Sequence, residues 1–214
     1  MSRAVFFDID GVLVHGMHHN PLHVRRWDTR LLADMGVDPQ RFTEEFIFGV
    51  FVKKVITGQM SLISALDRWL PTLGYRGSTM TFLNYWLEQD SVLNQPLLDL
   101  VATLRRRGEM SLYIATNQEH IRASWLWSHL GLSRLFEDMF HSARVGVRKP
   151  DQGFFDFIEQ RIGPQDQPPL FFDDTPKVIE AARRAGWEAV LFNTVEDCAT
   201  HPWVAERVSQ PVGG

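Results

Sequence analysis

Phe6-Phe7-Asp8-Ile9-Asp10-Gly11-Val12-Leu13-Val14 (FFDIDGVLV, residues 6–14) decides how this chain is read. The apolar run from Ala4 to Phe7 has the make-up of a buried strand, and such a strand delivers Asp8 and Asp10 to its C-terminal end. Gly11 lets the chain turn sharply just beyond them. Open α/β sheets bind their ligands at the carboxyl ends of strands. Two acids at that edge suit a divalent cation, and one of them suits attack on an electrophile. A strand followed by a solvated acidic turn has the same local pattern, so the decision rests on the remainder of the chain.

Asp173-Asp174 follows a second apolar run, Pro169-Leu170-Phe171-Phe172. A third, Leu112-Tyr113-Ile114-Ala115, ends in Thr116-Asn117, and Gly146-Val147-Arg148-Lys149-Pro150 places a basic pair in a loop-forming context between the two. Alone, each has an ordinary explanation: a turn or helix N-cap for Thr-Asn and for the acid pair, a solvated cation for the lysine. In this order, along alternating strands and helices, they resemble the haloacid dehalogenase superfamily of hydrolases. The resemblance runs from about Ala4 to about Phe192. The run GVRKPD and the acids of FFDD look most like the helical-cap branch, with its sugar-1-phosphate phosphatases and the phosphatase half of bifunctional epoxide hydrolases.

The organisation of the chain agrees. After the first strand no comparable run appears before Leu112. The segments 27–35, 42–51, 61–70 and 80–88 instead carry apolar residues at helical spacing, separated by Gly36, Pro39, Gly58, Pro71 and the Gly74–Gly77 stretch. From Gln95 onward helix and strand alternate: helix 97–107, strand 112–115, helix 119–130, short strand 139–142, helix 152–161, strand 170–172, helix 176–185 and strand 189–192. That alternation predicts a parallel sheet with helices on both faces. The expected fold is therefore α/β, a doubly wound, Rossmann-like parallel sheet with an α-helical cap inserted after the first strand. The core comprises residues 1–15 and 92–214 and the cap residues 16–91. The tail from Thr194 to Gly214 shows no chemistry.

The resemblance assigns roles position by position. Asp8 is the nucleophile that forms an aspartyl-phosphate, and Asp10 protonates the leaving oxygen and then activates water. Thr116 and Asn117 bind the transferring phosphoryl oxygens, the first through its hydroxyl and the second through its backbone N–H. Lys149 balances nucleophile and phosphate. Mg²⁺ is held by Asp8, Asp174 and the backbone carbonyl of Asp10, while Asp173 acts through water or orients Lys149. Some branches carry a further amide or acid four residues after the second acid, where this chain has Val178. Asp10 separates chemistries, because dehalogenases and carbon–phosphorus-cleaving relatives lack an acid there. The expected reaction is Mg²⁺-dependent hydrolysis of a small phosphomonoester, a sugar phosphate foremost. A phosphomutase, a 2-haloacid dehalogenase and a non-catalytic phosphate-binding protein are the alternatives.

Other features read as structural. His15, His18, His19 and His23 lack the regular spacing and the acid or cysteine partners of a transition-metal site and read as solvated linker histidines, although His15 could face the pocket. Lys53 and Lys54 read as surface cations, and Arg148 as either a phosphate or Asp173 contact or a surface residue. Trp125 and Trp127 cannot share a helix face, and Trp69, Tyr85 and Trp86 read as packing of the insert. The formal charge of −4, with Arg105-Arg106-Arg107 as the one compact basic run, leaves no footprint for nucleic acid. No apolar run is long enough to span a bilayer, and Asp8 and Asp10 interrupt any signal-peptide pattern. The single cysteine, Cys198, rules out an intramolecular disulfide and fits a reducing compartment, so the expected setting is the cytoplasm and the expected partner a small phosphorylated metabolite. No residue pattern sets an oligomeric state.

Overall fold

A computed structural model describes residues 3–209 of the chain. The strands among them are β1 (Arg3–Phe7), β2 (Val14–His15), β3 (Val92–Leu93), β4 (Met110–Thr116), β5 (Asp138–His141), β6 (Leu170–Asp173) and β7 (Glu188–Leu191). Five of these make one sheet in the order β5-β4-β1-β6-β7, and every neighbouring pair is parallel. The chain thus builds outward from β1 through β4 and β5, then returns to the other side for β6 and β7. The order reverses between β1 and β6, and at such a switch point the carboxyl ends of the strands open a crevice for a ligand.

The strand sequences show why this sheet is covered on both faces. Along β1, Val5 and Phe7 join one apolar cluster while Ala4 and Phe6 join the other, the two-residue period of a pleated strand. Leu170 and Phe172 of β6 fall on the first side and Phe171 on the second. Helices Gln95–Arg107 and Pro202–Ser209 contribute to the first cluster; Gln152–Ile162 and Pro176–Arg184 contribute to the second. Phe6, Phe7, Phe171 and Phe172 are all fully buried, each contributing on the order of 2–3 kcal/mol of hydrophobic stabilisation. Gly108, Gly131 and Gly186 each follow a helix end and have left-handed φ. The tail forms helices Val195–Ala199 and Pro202–Ser209, and its residues 210–214 lie outside the described ones. No helix among the described residues is long and apolar enough to cross a membrane.

Between β2 and β3 the chain is helical, and these two strands pair with each other as an antiparallel ribbon. Its longer helices are Phe42–Val55, which is π-helical, Leu62–Trp69 and Thr79–Gln89. They enclose a third apolar cluster built on Phe42, Phe46, Phe82 and Trp86. The two tryptophans of the later core helix divide between clusters: Trp125 packs on this third one and Trp127 on the first. Asn94 ties the ribbon down, with its N–H donating to Leu13 O at 2.9 Å and its side-chain amide to Val12 O at 2.9 Å.

The loop after β1 folds tightly back on itself. The Gly11 N–H donates to Val14 O (2.9 Å) and the Val14 N–H to Ile9 O (2.8 Å). Gly11 has φ +78°, and a Cβ there would stand 2.8 Å from Asp174 Oδ2. Strain and clash act together at this position. Gly11→Ala is expected to destabilise the fold by about 2 kcal/mol or more, a fall in melting temperature of roughly 4–8 °C. A thermal melt of the variant checks this, and an unchanged melting temperature would contradict the close approach of this turn to Asp174.

Candidate active site

Three neighbouring strands, β4, β1 and β6, carry the sequence-predicted residues other than Lys149 to one edge. Phe7 is level with Ile114 on one side and Phe172 on the other, so Asp8 emerges beside Ala115 and Asp173. Asp8, Asp173 and Asp174 are all buried, and their carboxylate oxygens lie within 4.8 Å of one another. Three acids at that spacing repel strongly in a medium poor in water.

Lys149 offsets part of that charge. It is 3% exposed, and its three ammonium donors are all engaged: Asp173 Oδ2 at 2.6 Å, Ala115 O at 2.8 Å and Asp8 Oδ1 at 2.9 Å. Burial works against its charge, but Asp173 and Asp8 outweigh burial and hold it above the usual lysine range. The loop that delivers Lys149 is gripped by Asn117, whose Oδ1 accepts the Lys149 N–H (2.9 Å) and whose Nδ2 donates to Lys149 O (3.0 Å). The residue expected to bind phosphoryl oxygens through its backbone thus also fixes the lysine through its side chain. Asp173 is bound on both oxygens, by Lys149 and by the Thr175 N–H (2.8 Å), so of the two roles open to it the structure shows contact with the lysine.

Among the described residues Asp174 has no lysine or arginine partner. It accepts the His19 N–H on Oδ2 (2.6 Å) and the Thr175 hydroxyl on Oδ1 (3.1 Å), and its carboxyl is pushed up by burial and then by the charge of Asp8. Burial raises Asp8 to about 7, with Lys149 pulling it down and Asp173 adding to the rise. One ammonium among three buried acids leaves an excess of negative charge carried by hard oxygen donors. A hard divalent cation fits that donor set.

A pocket of about 320 Å³ opens over these groups, lined by Asp8, Asp10, Thr116, Asn117, Asp174 and the segment Met17–His19. Thr116 is buried at the end of β4. A larger hollow of about 720 Å³ beside the 159–169 loop has no such convergence of charge, so size alone does not mark the site. Asp10 lines the smaller pocket, but its carboxylate is turned to the buried Arg122 and to Gln118 rather than into the acid cluster.

One expectation is corrected here. His18 is not a solvated linker residue: it is buried, its Nδ1 is 3.8 Å from Asp174 Oδ2, and its ring lies 5.0 Å from that of His23. Burial lowers its pKa despite the nearby carboxylate, so it brings little positive charge to the acids. Arg148 touches neither phosphate site nor Asp173; it donates to Val52 O (3.0 Å) in the helical segment between β2 and β3. His15, Lys53 and Lys54 are exposed, and Cys198 is buried with burial pushing its thiol up. Arg122, Gln118 and Asp90 were not singled out in the sequence. Gln118 could have been, since it follows Thr116-Asn117 directly. Nothing local marks Arg122 or Asp90.

The model of the haloacid dehalogenase-like hydrolases matches residues 2–186. The chain belongs to that family. Among curated relatives, it is 36% identical over 101 residues to the fructose-1-phosphate phosphatase YqaB of Escherichia coli (strain K12), covering 47% of this chain and 53% of that protein. The chain spans about half or less of the length of the curated relatives it matches. Among solved structures, a HAD family enzyme from Bacteroides thetaiotaomicron, BT-2542, in a magnesium complex superposes with a TM-score of 0.71 at 19% identity, over 89% of this chain and 93% of that one. The L-2-haloacid dehalogenase from Xanthobacter autotrophicus superposes at 0.61 with 15% identity, over 96% and 86%. At such identities these structures share the fold, and the fold hosts more than one chemistry.

The raised Asp8 carboxyl has a consequence for stability. Unfolded, Asp8 releases its proton near pH 4, whereas folded it keeps it to about 7, so the native state holds more protons in between. The stability contributed by this group is full below pH 4, falls as pH rises through that window and stays low above it. In chelator, Asp8→Asn is therefore expected to melt above wild type at pH 8, with the gap shrinking as pH is lowered to 5. Melts at the two pH values check this; a pH-independent gap would contradict the raised carboxyl.

Proposed function

We propose that this protein is a phosphatase acting on small phosphomonoesters, with sugar phosphates the foremost class, through an aspartyl-phosphate on Asp8. The observation that carries the reading is the buried lysine joining Asp8 to Asp173 beside Asp174, with Asp10 across the same pocket. In the first step an Asp8 oxygen attacks phosphorus, the ester P–O bond breaks and the leaving oxygen takes a proton from Asp10. In the second, Asp10 takes a proton from water as that water attacks phosphorus, the bond to Asp8 breaks and inorganic phosphate leaves. Thr116 and the Asn117 backbone bind the equatorial oxygens, and Lys149 favours the ionised form of Asp8 against its burial and holds it in place. Asp8, Asp174 and the Asp10 carbonyl would hold Mg²⁺, which supplies positive charge against the phosphate when bound.

Residues 16–91 act in this reading as a cap over a core made of 1–15 and 92–214. The pocket of about 320 Å³ suits a small ligand, and a segment closing over it would keep bulk water from the acyl phosphate. The similarity to a fructose-1-phosphate phosphatase supports a sugar phosphate as substrate. The similarity in fold to a 2-haloacid dehalogenase does not extend to chemistry, because halide leaves without a proton and Asp10 would have nothing to do. The lone buried thiol of Cys198 accords with a reducing compartment such as the cytoplasm.

Phosphate release from a panel of phosphomonoesters, with Mg²⁺ and with chelator, tests the reading. Release is expected only with metal, and Asp8→Asn is expected to lower it at least about 1,000-fold while remaining folded. Conversion of a sugar phosphate to an isomer without net phosphate release would replace this reading with a phosphomutase.

A further inference from the structure

The Asp10 carboxylate is held from behind. Arg122 Nη2 donates to Asp10 Oδ1 at 2.8 Å and Arg122 Nη1 donates to Oδ2 at 3.0 Å, a two-pronged pairing. Gln118 Nε2 donates to Oδ2 as well, at 2.5 Å. Arg122 is 5% exposed and sits on helix His120–Ser124, whose first turn is capped by Glu119 through the N–H groups of Ile121 and of Arg122 itself. Its place in the chain is thus set independently of Asp10.

The same guanidinium reaches a second acid. Nη2 donates to the backbone oxygen of Asp90 at 2.9 Å and lies 3.4 Å from its carboxylate. Asp90 closes helix Thr79–Gln89, immediately before the chain returns through β3 to the sheet. Beside it, the Trp125 indole N–H donates to Ser91 Oγ at 3.1 Å. One buried cation therefore links an acid of the pocket to the last turn of the helical segment.

Charge balance alone does not account for this arrangement. A lysine would neutralise Asp10 and Asp90, but its point charge leaves a carboxylate free to rotate about its last bond. A planar fork with both prongs used fixes the plane of the carboxylate. Proton transfer to a leaving oxygen depends steeply on that orientation. We propose that Arg122 is a positioning residue for Asp10, setting the direction in which its carboxyl faces the pocket, and that Asp90 anchors Arg122 from the side of the helical segment. The proposal rests on the phosphatase reading, in which Asp10 serves the leaving group.

A pair of esters separates positioning from general structural support. Nitrophenyl phosphate has a leaving group that departs with little help from an acid, whereas glycerol 1-phosphate has an alkoxide that requires a proton. The quantity to compare is kcat/KM, which reports the step in which phosphorus passes to Asp8. Arg122→Lys, which keeps the charge and removes the fork, is expected to lower kcat/KM for the alkyl ester about 100-fold and for the aryl ester less than about fivefold. Asp10→Asn sets the full size of that selectivity. Asp90→Asn, nearly isosteric, is expected to show the same selectivity at about 10-fold, and it carries the test if the lysine variant does not fold. Equal losses on both esters, or a gain on the alkyl ester, would overturn the proposal. Should folded, Mg²⁺-loaded wild type release phosphate from neither ester, the phosphatase reading fails, and positioning is then read from crystal structures of wild type and variant. An Asp10 carboxylate turned out of its plane in the variant supports positioning; one that has not moved overturns it.

Discussion

Everything at this sheet edge depends on one ammonium group placed among three buried carboxylates. Bringing Asp8, Asp173 and Asp174 together without water is unfavourable, and Lys149 makes it tolerable by spending each of its donors on a named acceptor. Removing the ammonium from such a site costs about 3–5 kcal/mol, because buried carboxylates are left uncompensated. The cost explains why so much surrounding structure serves the lysine. Asn117 holds both polar groups of its backbone, and the Phe171 ring lies 5.2 Å from its Nζ. The compensation is incomplete: the remaining negative charge falls on oxygen atoms facing the pocket, a donor set that suits a divalent cation.

The sheet topology accounts for the meeting of these groups. Because β1 lies between β4 and β6 and all three run in parallel, residues more than a hundred positions apart finish at one level. A hairpin could not do this, since it would send alternate strand ends to opposite edges. The β2–β3 ribbon then lets a helical segment leave and return at that same edge, so its own apolar cluster is built without interrupting the sheet. Polar contacts join the two parts at separate places. The Ser142 hydroxyl donates to Ile56 O at 2.5 Å, Arg148 to Val52 O, and Arg122 to Asp90. The first two arise from the stretch that leads into Lys149 and the last from the helix behind Asp10, so both the lysine's loop and that helix touch the helical segment.

Much of this is legible in residue order because local physics and global fold agree. A buried parallel strand must be apolar on both faces, which is why β1 and β6 show as uninterrupted runs, and acids directly after such runs have to stand at the carboxyl edge. The short β7, with an exposed glutamate at its start and half-buried ends, is legible mainly from its position after Gly186. The histidines show the opposite case. Their spacing carries no periodicity, so the burial of His18 against Asp174 depends on how the 16–20 loop folds across the acids, and no local pattern encodes that path.

Sequence alone determined the alternation of strands and helices, the identity of the acids, hydroxyl and lysine, and the family in which they recur, since these follow from period, punctuation and order along the chain. Tertiary structure decided how those groups are charged and aimed. Arg122 reads in the sequence as one arginine on a short helix, and Asp90 as a polar helix end; only packing brings them, 112 and 80 positions from Asp10, together beside it. The reason is physical: a carboxylate's ionisation and orientation are set by what surrounds it within a few ångströms, and that neighbourhood is assembled from elements whose proximity exists only after the sheet has formed.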